Sequence, residues 1–217
     1  MTSKNLTSIY SGVKKNDPNR NENDLYRTPP LATYILCKYS NVPKKVVEPC
    51  AGYGNIAVEL MRQGHDVLCS DLNHYEDALV PILTPVDVMN LPKIIDRSAL
   101  VTNPPYHKDL PKKIAEKAIS EYDYVAMFVR ITFLEGKKRN KIFTDNPPTE
   151  IIFLSDRINF GCTDLEAVEM NDQIGGMISY MWIVWDKKAT HSNTKLHWAL
   201  LCDEYPEWRE SYDRNKE

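Results

Sequence analysis

The sequence predicts an α/β protein built on a mostly parallel sheet, with an antiparallel last strand and helices on both faces. Continuous apolar runs alternate with stretches of helical periodicity, which is typical of strands covered on both sides. Hydrophobic residues make up 42% of the 217 residues and charged residues 26%, so one globular core is expected and wholesale disorder is excluded. The chain length suits a single domain.

The first half of the chain predicts a polar arm, a helix and a βαβ unit. Residues 1–24 lack periodic apolar positions, so we expect a flexible N-terminal arm. Apolar residues at helical spacing follow Thr28-Pro29-Pro30 and predict a helix that ends near Tyr39. Residues 44–73 contain a β-branched run, a glycine turn, an apolar-periodic stretch and a second apolar run, which together predict strand, helix and strand.

The second half continues the alternation. Residues 98–106 predict a strand that ends in a loop, residues 109–122 a helix and residues 123–131 another strand. The apolar runs at 149–155 and 177–185 have no long helical pattern between them, so we predict a terminal hairpin. The residues between these runs, 157–176, predict a long loop that faces the substrate.

Composition excludes several functional classes. The five cysteines never occur as Cys-x-x-Cys and the five histidines do not pair at ligand spacing, so neither a disulfide framework nor a metal site is expected. No apolar run approaches the length of a membrane span and no leader pattern follows Met1, so we expect a cytoplasmic protein without membrane contact. The net charge of −3 does not by itself indicate nucleic-acid binding.

The glycine turn after the first strand predicts a ligand site at the carboxyl edge of the sheet. The small residues Ala51, Gly52 and Gly54 let the backbone approach a ligand closely. The third glycine of a dinucleotide fingerprint and the Gly-Lys-Ser/Thr of a P-loop are missing, which disfavours phosphate binding. Asp71 can accept both hydroxyls of a ribose, and Asp87 can accept an adenine amino group. Both acids can instead cap ordinary turns.

Asn103-Pro104-Pro105-Tyr106, at the end of the strand and loop predicted over residues 98–106, indicates chemistry on a planar amine. The nitrogen of such an amine is a poor nucleophile because its lone pair is delocalised. If the Asn103 side-chain oxygen and the Pro104 carbonyl each accept one N–H, the lone pair turns towards an incoming methyl group. Consecutive prolines hold these acceptors rigidly, and Tyr106 can stack on the target. A simple strand-ending turn is the alternative interpretation.

These motifs resemble S-adenosylmethionine-dependent amino-methyltransferases, especially the γ-ordered N6-adenine DNA methyltransferases. The resemblance spans residues 25–186 and implies the Rossmann-like class I methyltransferase fold with a seven-stranded sheet. It implies a methyltransferase domain over residues 25–188 and a C-terminal extension over residues 189–217. S-adenosyl-L-methionine is the implied cofactor. The implied cofactor-binding residues are Thr28, Glu48, Ala51, Gly52, Gly54, Asp71 and Asp87.

The resemblance also implies how the target is held. Asn103, Pro104 and Tyr106 take the catalytic positions, while Pro105, Lys108, Arg157 and Phe160 take substrate-binding positions. Phe160 would pack against an adenine extruded from the duplex, because the amine cannot be reached within the stack. Phe160 as a simple loop anchor is an equal alternative.

The substrate class stays open at the level of sequence. No large target-recognition domain follows the last strand, so direct base readout is expected to be limited unless residues 161–176, the basic N-terminal arm or a specificity partner provides it. RNA base amines and protein glutamine are alternative targets, because related enzymes share the Asn-Pro-Pro-Tyr tetrad. A binding module without turnover is a further alternative.

Two motifs that resemble known catalytic sequences are set aside. Asn146-Pro147-Pro148 precedes a strand, and Cys50 lies inside the glycine turn, where packing is expected.

Overall fold

A computed structural model describes residues 25–158 and 178–214 of the chain. Its helices are α1 Pro30–Tyr39, α2 Asn55–Arg62, α3 Leu110–Glu121, α4 Asn140–Asp145 and α5 Leu201–Arg214. Its strands are β1 Lys45–Glu48, β2 Asp66–Cys69, β3 Ala99–Thr102, β4 Tyr124–Arg130, β5 Glu150–Leu154, β6 Tyr180–Asp186 and β7 Lys195–Ala199.

The seven strands form one sheet in the order β2-β1-β3-β4-β6-β5-β7. Strands β1 to β4 pair in parallel, whereas β6 inserts between β4 and β5 and runs antiparallel to both. This arrangement confirms the predicted mostly parallel sheet and the antiparallel pairing of the two apolar runs near the end of the domain. The strand order reverses between β1 and β3, which is where α/β sheets open a crevice for ligands.

Apolar side chains cover both faces of the sheet. One core cluster lies under α1 and α2, and the other lies under α3 and α4. Helix α1 begins at Pro30 after Pro29, as predicted, and prolines suit this position because the first helical N–H groups have no partner in the helix. The indole N–H of Trp182 on β6 donates to the Ala32 carbonyl at 2.7 Å and fixes α1 against the sheet. Residues 25–29, which lead into α1, therefore have a defined place beside the strand ends.

Two features of the sheet were not predicted. After β2, Leu83 forms a single bridge with Ser70. The strand β7 lies beyond β6 in the chain and adds to the sheet edge, where it pairs in parallel with β5. Helix α5 then packs on α1 through Lys38, whose ammonium lies 2.7 Å from the Glu204 carboxylate.

The described helices include none with the length and apolar character that crossing a bilayer requires.

Candidate active site

A cavity of about 690 Å³ opens at the carboxyl ends of β1, β2 and β3. It lies at the point where the strand order reverses, and its size is that of a small-molecule site. Most of the residues predicted to bind a cofactor line it, together with two members of the Asn-Pro-Pro-Tyr tetrad. The predicted residues in its wall are Thr28, Glu48, Ala51, Gly52, Asp71, Asp87, Asn103 and Pro105.

The glycine turn is built from backbone conformations that favour glycine. Gly52 has φ +56° and Gly54 has φ +86°, both in the left-handed region. A Cβ on Gly52 would lie 2.8 Å from Leu25 Cδ1, and a Cβ on Gly54 would lie 2.6 Å from Val80 Cγ2. The Gly54 N–H donates to the Ala51 carbonyl at 2.7 Å and closes the turn. Gly54 therefore packs against Val80 and closes the turn, whereas Gly52 lies in the cavity wall.

We expect Gly54→Ala to destabilise the fold by more than the backbone cost alone. A left-handed conformation costs a residue with a side chain about 1–2 kcal/mol, and the contact with Val80 adds to it. Gly64→Ala is the matched control, because Gly64 has φ +83° and its Cβ would meet only the end of the Lys44 side chain, at 3.2 Å. Urea unfolding measures both variants.

A second comparison isolates the contact with Val80. Gly54→Ala combined with Val80→Ala should lose less stability than the sum of the two single changes, because Val80→Ala removes the clashing methyl group. If Gly54→Ala and Gly64→Ala lowered the free energy of unfolding equally, the contact with Val80 would not contribute to the destabilisation.

The Asp71 carboxylate joins two loops at the cavity wall. Its Oδ2 accepts the Gly52 backbone N–H at 2.8 Å, and its Oδ1 accepts the Asn73 backbone N–H at 2.9 Å. The side chain is only 8% exposed. A carboxylate offers about four lone-pair positions, so each oxygen retains one for a ligand hydroxyl. Asp71 therefore both shapes the cleft and can accept hydroxyl groups within it.

Glu48 places a buried carboxyl group at the floor of the cavity. The residue is 1% exposed, and its Oε2 atom has no hydrogen-bond partner among the described residues. Burial raises the pKa of the Glu48 carboxyl well above its usual range, an effect that the Ala57 backbone N–H opposes and the Asp71 carboxylate reinforces. A buried polar atom without a partner in a cavity wall is a position that a polar ligand group can satisfy.

The raised pKa of Glu48 makes folding depend on pH. The unfolded chain releases this proton at about pH 4.3, so the stability of the cofactor-free protein falls as the pH rises from there towards the raised pKa. We expect Glu48→Gln, which keeps the shape without a charge, to be more stable than the wild type at pH 8. At pH 4 the difference should vanish. Urea unfolding at both pH values tests this, with the exposed Glu76→Gln as control; parallel pH profiles for wild type and Glu48→Gln would refute it.

The Asn103 side chain, directly after β3, lies between two hydroxyl groups. Its Nδ2 donates to Thr28 Oγ1 at 3.0 Å, and its Oδ1 accepts the Tyr106 hydroxyl at 2.6 Å. The same hydroxyl lies 3.1 Å from the Phe128 carbonyl oxygen. The structure therefore brings Thr28, predicted at the cofactor, into contact with Asn103, predicted at the target amine.

The Tyr106 ring packs among other large side chains. The Arg130 guanidinium lies 4.9 Å from the ring centroid, and the ring centroids of Tyr180 and Tyr26 lie at 6.1 Å and 6.5 Å. Stacking of Tyr106 on a substrate stays a prediction and must use a face that Arg130 does not occupy. Pro104 is buried and is not among the residues that line the cavity, and its role as an acceptor also stays a prediction.

Asp87 lies at the cavity and also caps a turn. Its Oδ1 accepts the Met89 backbone N–H at 2.9 Å, and its Oδ2 accepts the Asn90 side-chain N–H at 3.2 Å. Val86 and Val88 line the cavity on either side of it. Both predicted interpretations of Asp87 therefore describe the same residue, and its contact with an adenine amino group stays a prediction.

The predicted substrate residues divide into three groups. Pro105 lines the cavity, while Lys108 lies exposed in the loop after the tetrad with φ +49°. Arg157 is exposed and follows β5. Phe160 lies outside the described residues, as do the predicted N-terminal arm and most of the long loop.

The predictions missed an aromatic and cationic wall above the glycine turn. The Arg27 guanidinium lies 3.8 Å from the centroid of the Tyr53 ring, and the Tyr53 ring packs on Tyr75 with centroids 5.0 Å apart. All three residues line the cavity. Tyr53 could have been recognised from sequence, since it lies between Gly52 and Gly54 of the turn predicted to bind a ligand.

Of the two motifs set aside in the sequence, Asn146 lies far from the cavity, whereas Cys50 lies in the cavity wall. Asn146 precedes β5, and β5 runs in the same direction as β3, so Asn146 lies at the opposite edge of the sheet from Asn103. Burial raises the pKa of the Cys50 thiol, which disfavours the reactive thiolate. The described residues also contain no group of three or more His, Cys, Asp or Glu side chains that could hold a metal ion.

Comparison with known proteins gives likeness in structure. A protein proposed to be an RNA methyltransferase, from Pyrococcus horikoshii, matches with TM-score 0.55 and 16% identity over 86% of this chain and 99% of its own. The methyltransferase subunit of a type I restriction-modification system from Streptococcus thermophilus gives TM-score 0.57 and 14% identity, over 90% of this chain and 50% of its own. A modification subunit of a proposed type I restriction enzyme from Vibrio vulnificus gives TM-score 0.54 and 11% identity, over 98% of this chain and 57% of its own.

This chain thus spans about half the length of the two restriction-modification subunits. Neither the protein-family models nor the curated proteins give a match to the sequence. The strand order, the single antiparallel insertion among the described strands and the structural likeness agree with one another. The chain has the Rossmann-like class I methyltransferase fold that its sequence predicts.

Proposed function

We propose that this protein is an S-adenosylmethionine-dependent methyltransferase that acts on the exocyclic N6 amine of adenine in DNA. The observation that carries the proposal is the position of the Asn-Pro-Pro-Tyr tetrad. Asn103 and Pro105 line the same cavity as the glycine turn and Asp71, at the carboxyl edge of a methyltransferase-type sheet. A donor and a planar amine can therefore meet in one site.

The residues of the cavity fit the proposed cofactor. Asp71 has lone pairs left for ribose hydroxyls, and the missing Cβ of Gly52 leaves room at the wall. The unpartnered buried Oε2 of Glu48 can meet a polar group of the ligand. Val86 and Val88 offer apolar surfaces for a flat ring. The bound cofactor would supply a methyl group already activated on a sulfonium.

The tetrad then prepares the acceptor nitrogen. Asn103 Oδ1 and the Pro104 carbonyl oxygen accept the two N–H groups of the amine, so its lone pair turns out of conjugation and towards the methyl group. The same oxygens would stabilise the positive charge that develops on the nitrogen as the bond to the methyl carbon forms and the carbon–sulfur bond breaks. With the demethylated cofactor as leaving group, the nitrogen would release one proton to water. Because the methyl group is already activated, positioning supplies most of the acceleration and no covalent enzyme intermediate is needed.

DNA is the proposed substrate because the resemblance of the motifs and two of the structural neighbours favour it. Those two neighbours are subunits of type I restriction-modification systems. Lys108, next to the tetrad, and Lys137, in the loop after β4, are exposed at this part of the molecule and can contact phosphates. Recognition of a particular sequence would come from residues 161–176, from the basic N-terminal arm or from a partner protein.

Transfer of a labelled methyl group tests the proposal. The protein is incubated with tritiated S-adenosylmethionine and with DNA, RNA or whole-cell protein, and the product is digested to its units. Label on N6-methyladenine from DNA supports the proposal. Label on an RNA base or on glutamine would overturn the choice of substrate, and retention of all label on the donor would favour a binding module without turnover.

A further inference from the structure

The Asn103 carboxamide is hydrogen-bonded on one side to Thr28 and on the other side to Tyr106. Thr28, which accepts the Asn103 Nδ2 hydrogen bond, lies 75 residues earlier in the sequence. Tyr106 is the last residue of the tetrad, and its hydroxyl group donates a hydrogen bond to Asn103 Oδ1. The three side chains form a hydrogen-bonded chain, Thr28–Asn103–Tyr106, beside the cavity.

The two distances distinguish the two orientations of the carboxamide. Hydroxyl groups both donate and accept, so a flipped amide could in principle also bond to both neighbours. An O–H···O bond is ordinarily shorter than an N–H···O bond. The 2.6 Å contact to Tyr106 fits an O–H donor and an oxygen acceptor, while the 3.0 Å contact to Thr28 fits an N–H donor. The Phe128 carbonyl oxygen lies farther from the same hydroxyl, at 3.1 Å, and is the weaker acceptor of its single proton. We therefore assign the amide oxygen to the side that faces Tyr106.

Both hydroxyl groups are themselves fixed by packing. Thr28 is 3% exposed and immediately precedes the two prolines at the start of α1. The Tyr106 ring lies under the Arg130 guanidinium and against Tyr180. Neither hydroxyl can move far without disturbing these neighbours. The orientation of Asn103 is thus set before any ligand binds.

We propose that Thr28 and Tyr106 are positioning residues that hold Asn103 with its Oδ1 presented to the acceptor amine. A carbonyl oxygen has two lone pairs, so the Tyr106 hydroxyl can use one while the amine N–H uses the other. The opposite orientation would present an N–H donor to the amine and could not sharpen its lone pair. The inference rests on the proposed function of Asn103 and adds a role for Thr28 beyond contact with the cofactor.

Two isosteric variants test the inference by kinetics. Thr28→Val removes the acceptor for Nδ2, and Tyr106→Phe removes the donor to Oδ1 but keeps the ring. We expect each to lower kcat, measured at saturating cofactor, about tenfold, because the amide is left without one partner. Tyr106→Phe should change the KM for DNA and the cofactor Kd by less than about threefold. Thr28→Ser should recover most of the rate. Thr33→Val is the control, since Thr33 is a buried threonine of α1 whose hydroxyl has no partner among the described residues.

A spectroscopic measurement tests the same chain of bonds without turnover. The side-chain amide signal of Asn103 in 15N-labelled protein can be assigned from its loss in Asn103→Ala. We expect Thr28→Val and Tyr106→Phe to shift this signal and Thr33→Val to leave it in place. An unshifted signal in both variants, a Thr28→Val defect confined to cofactor affinity, or a wild-type kcat for Tyr106→Phe would overturn the inference. If the protein methylated no DNA, the proposed function would fail, whereas a shifted signal would still support the positioning.

Discussion

Replacing Asn103 with alanine should lower the rate of methyl transfer by about 10²–10³-fold while changing cofactor affinity only a few fold. The side chain supplies one of the two oxygens that we propose to accept the amine N–H groups, and alanine leaves that N–H without an acceptor. The cofactor-facing groups, which include the Asp71 carboxylate and the glycine turn, remain in place. Steady-state transfer of labelled methyl groups and calorimetric titration with S-adenosylmethionine measure the two quantities separately.

The chain contains its own matched control for this experiment. Asn146 also precedes two prolines, Pro147 and Pro148, but it is exposed before the start of β5, at the amino ends of the parallel strands. Asn146→Ala should therefore transfer methyl groups at the wild-type rate. A large loss of cofactor affinity in Asn103→Ala would assign the residue a structural role. A rate close to that of the wild type would remove the basis of the proposed chemistry.

The architecture of the sheet could be predicted because burial leaves a readable pattern. Strands covered on both faces consist of continuous apolar residues, and β4 and β6 are each buried along almost their whole length. The insertion of β6 between β4 and β5 could not be read in this way, since apolar pattern fixes burial and not the neighbour. The strand β7 was missed because most of its side chains are exposed, Trp198 among them.

The site was predictable to the extent that its residues are adjacent in sequence. Gly52 and Gly54 occur within one turn, and the tetrad is continuous, so local spacing indicated both. The contact between Thr28 and Asn103 joins segments 75 residues apart, and only the packing of α1 against the sheet brings them together. The hydrogen bond from the Tyr106 hydroxyl to Asn103 was not predicted either, because the sequence indicated a role only for the Tyr106 ring.

Asp71→Asn should raise the cofactor Kd about 100-fold, which is a loss of about 2.8 kcal/mol of binding free energy. The carboxylate accepts one backbone N–H on each oxygen, from Gly52 and from Asn73. An amide replaces one of these oxygens with a donor, so one buried N–H group must face another N–H group. The turn and the following loop then separate at the wall of the cavity, and the acceptor for ribose hydroxyls is lost with them.

The same substitution should also lower the free energy of unfolding of the cofactor-free protein by about 1–3 kcal/mol, because hydrogen bonds to a charged group are lost at a buried position. Calorimetric titration gives the affinity and urea unfolding gives the stability. Asp77→Asn serves as the control, since this carboxylate is exposed in the loop that follows β2. If Asp71→Asn retained wild-type affinity in a folded protein, the ribose would have to be held by other groups, and the cofactor would lie elsewhere in the cavity than we propose.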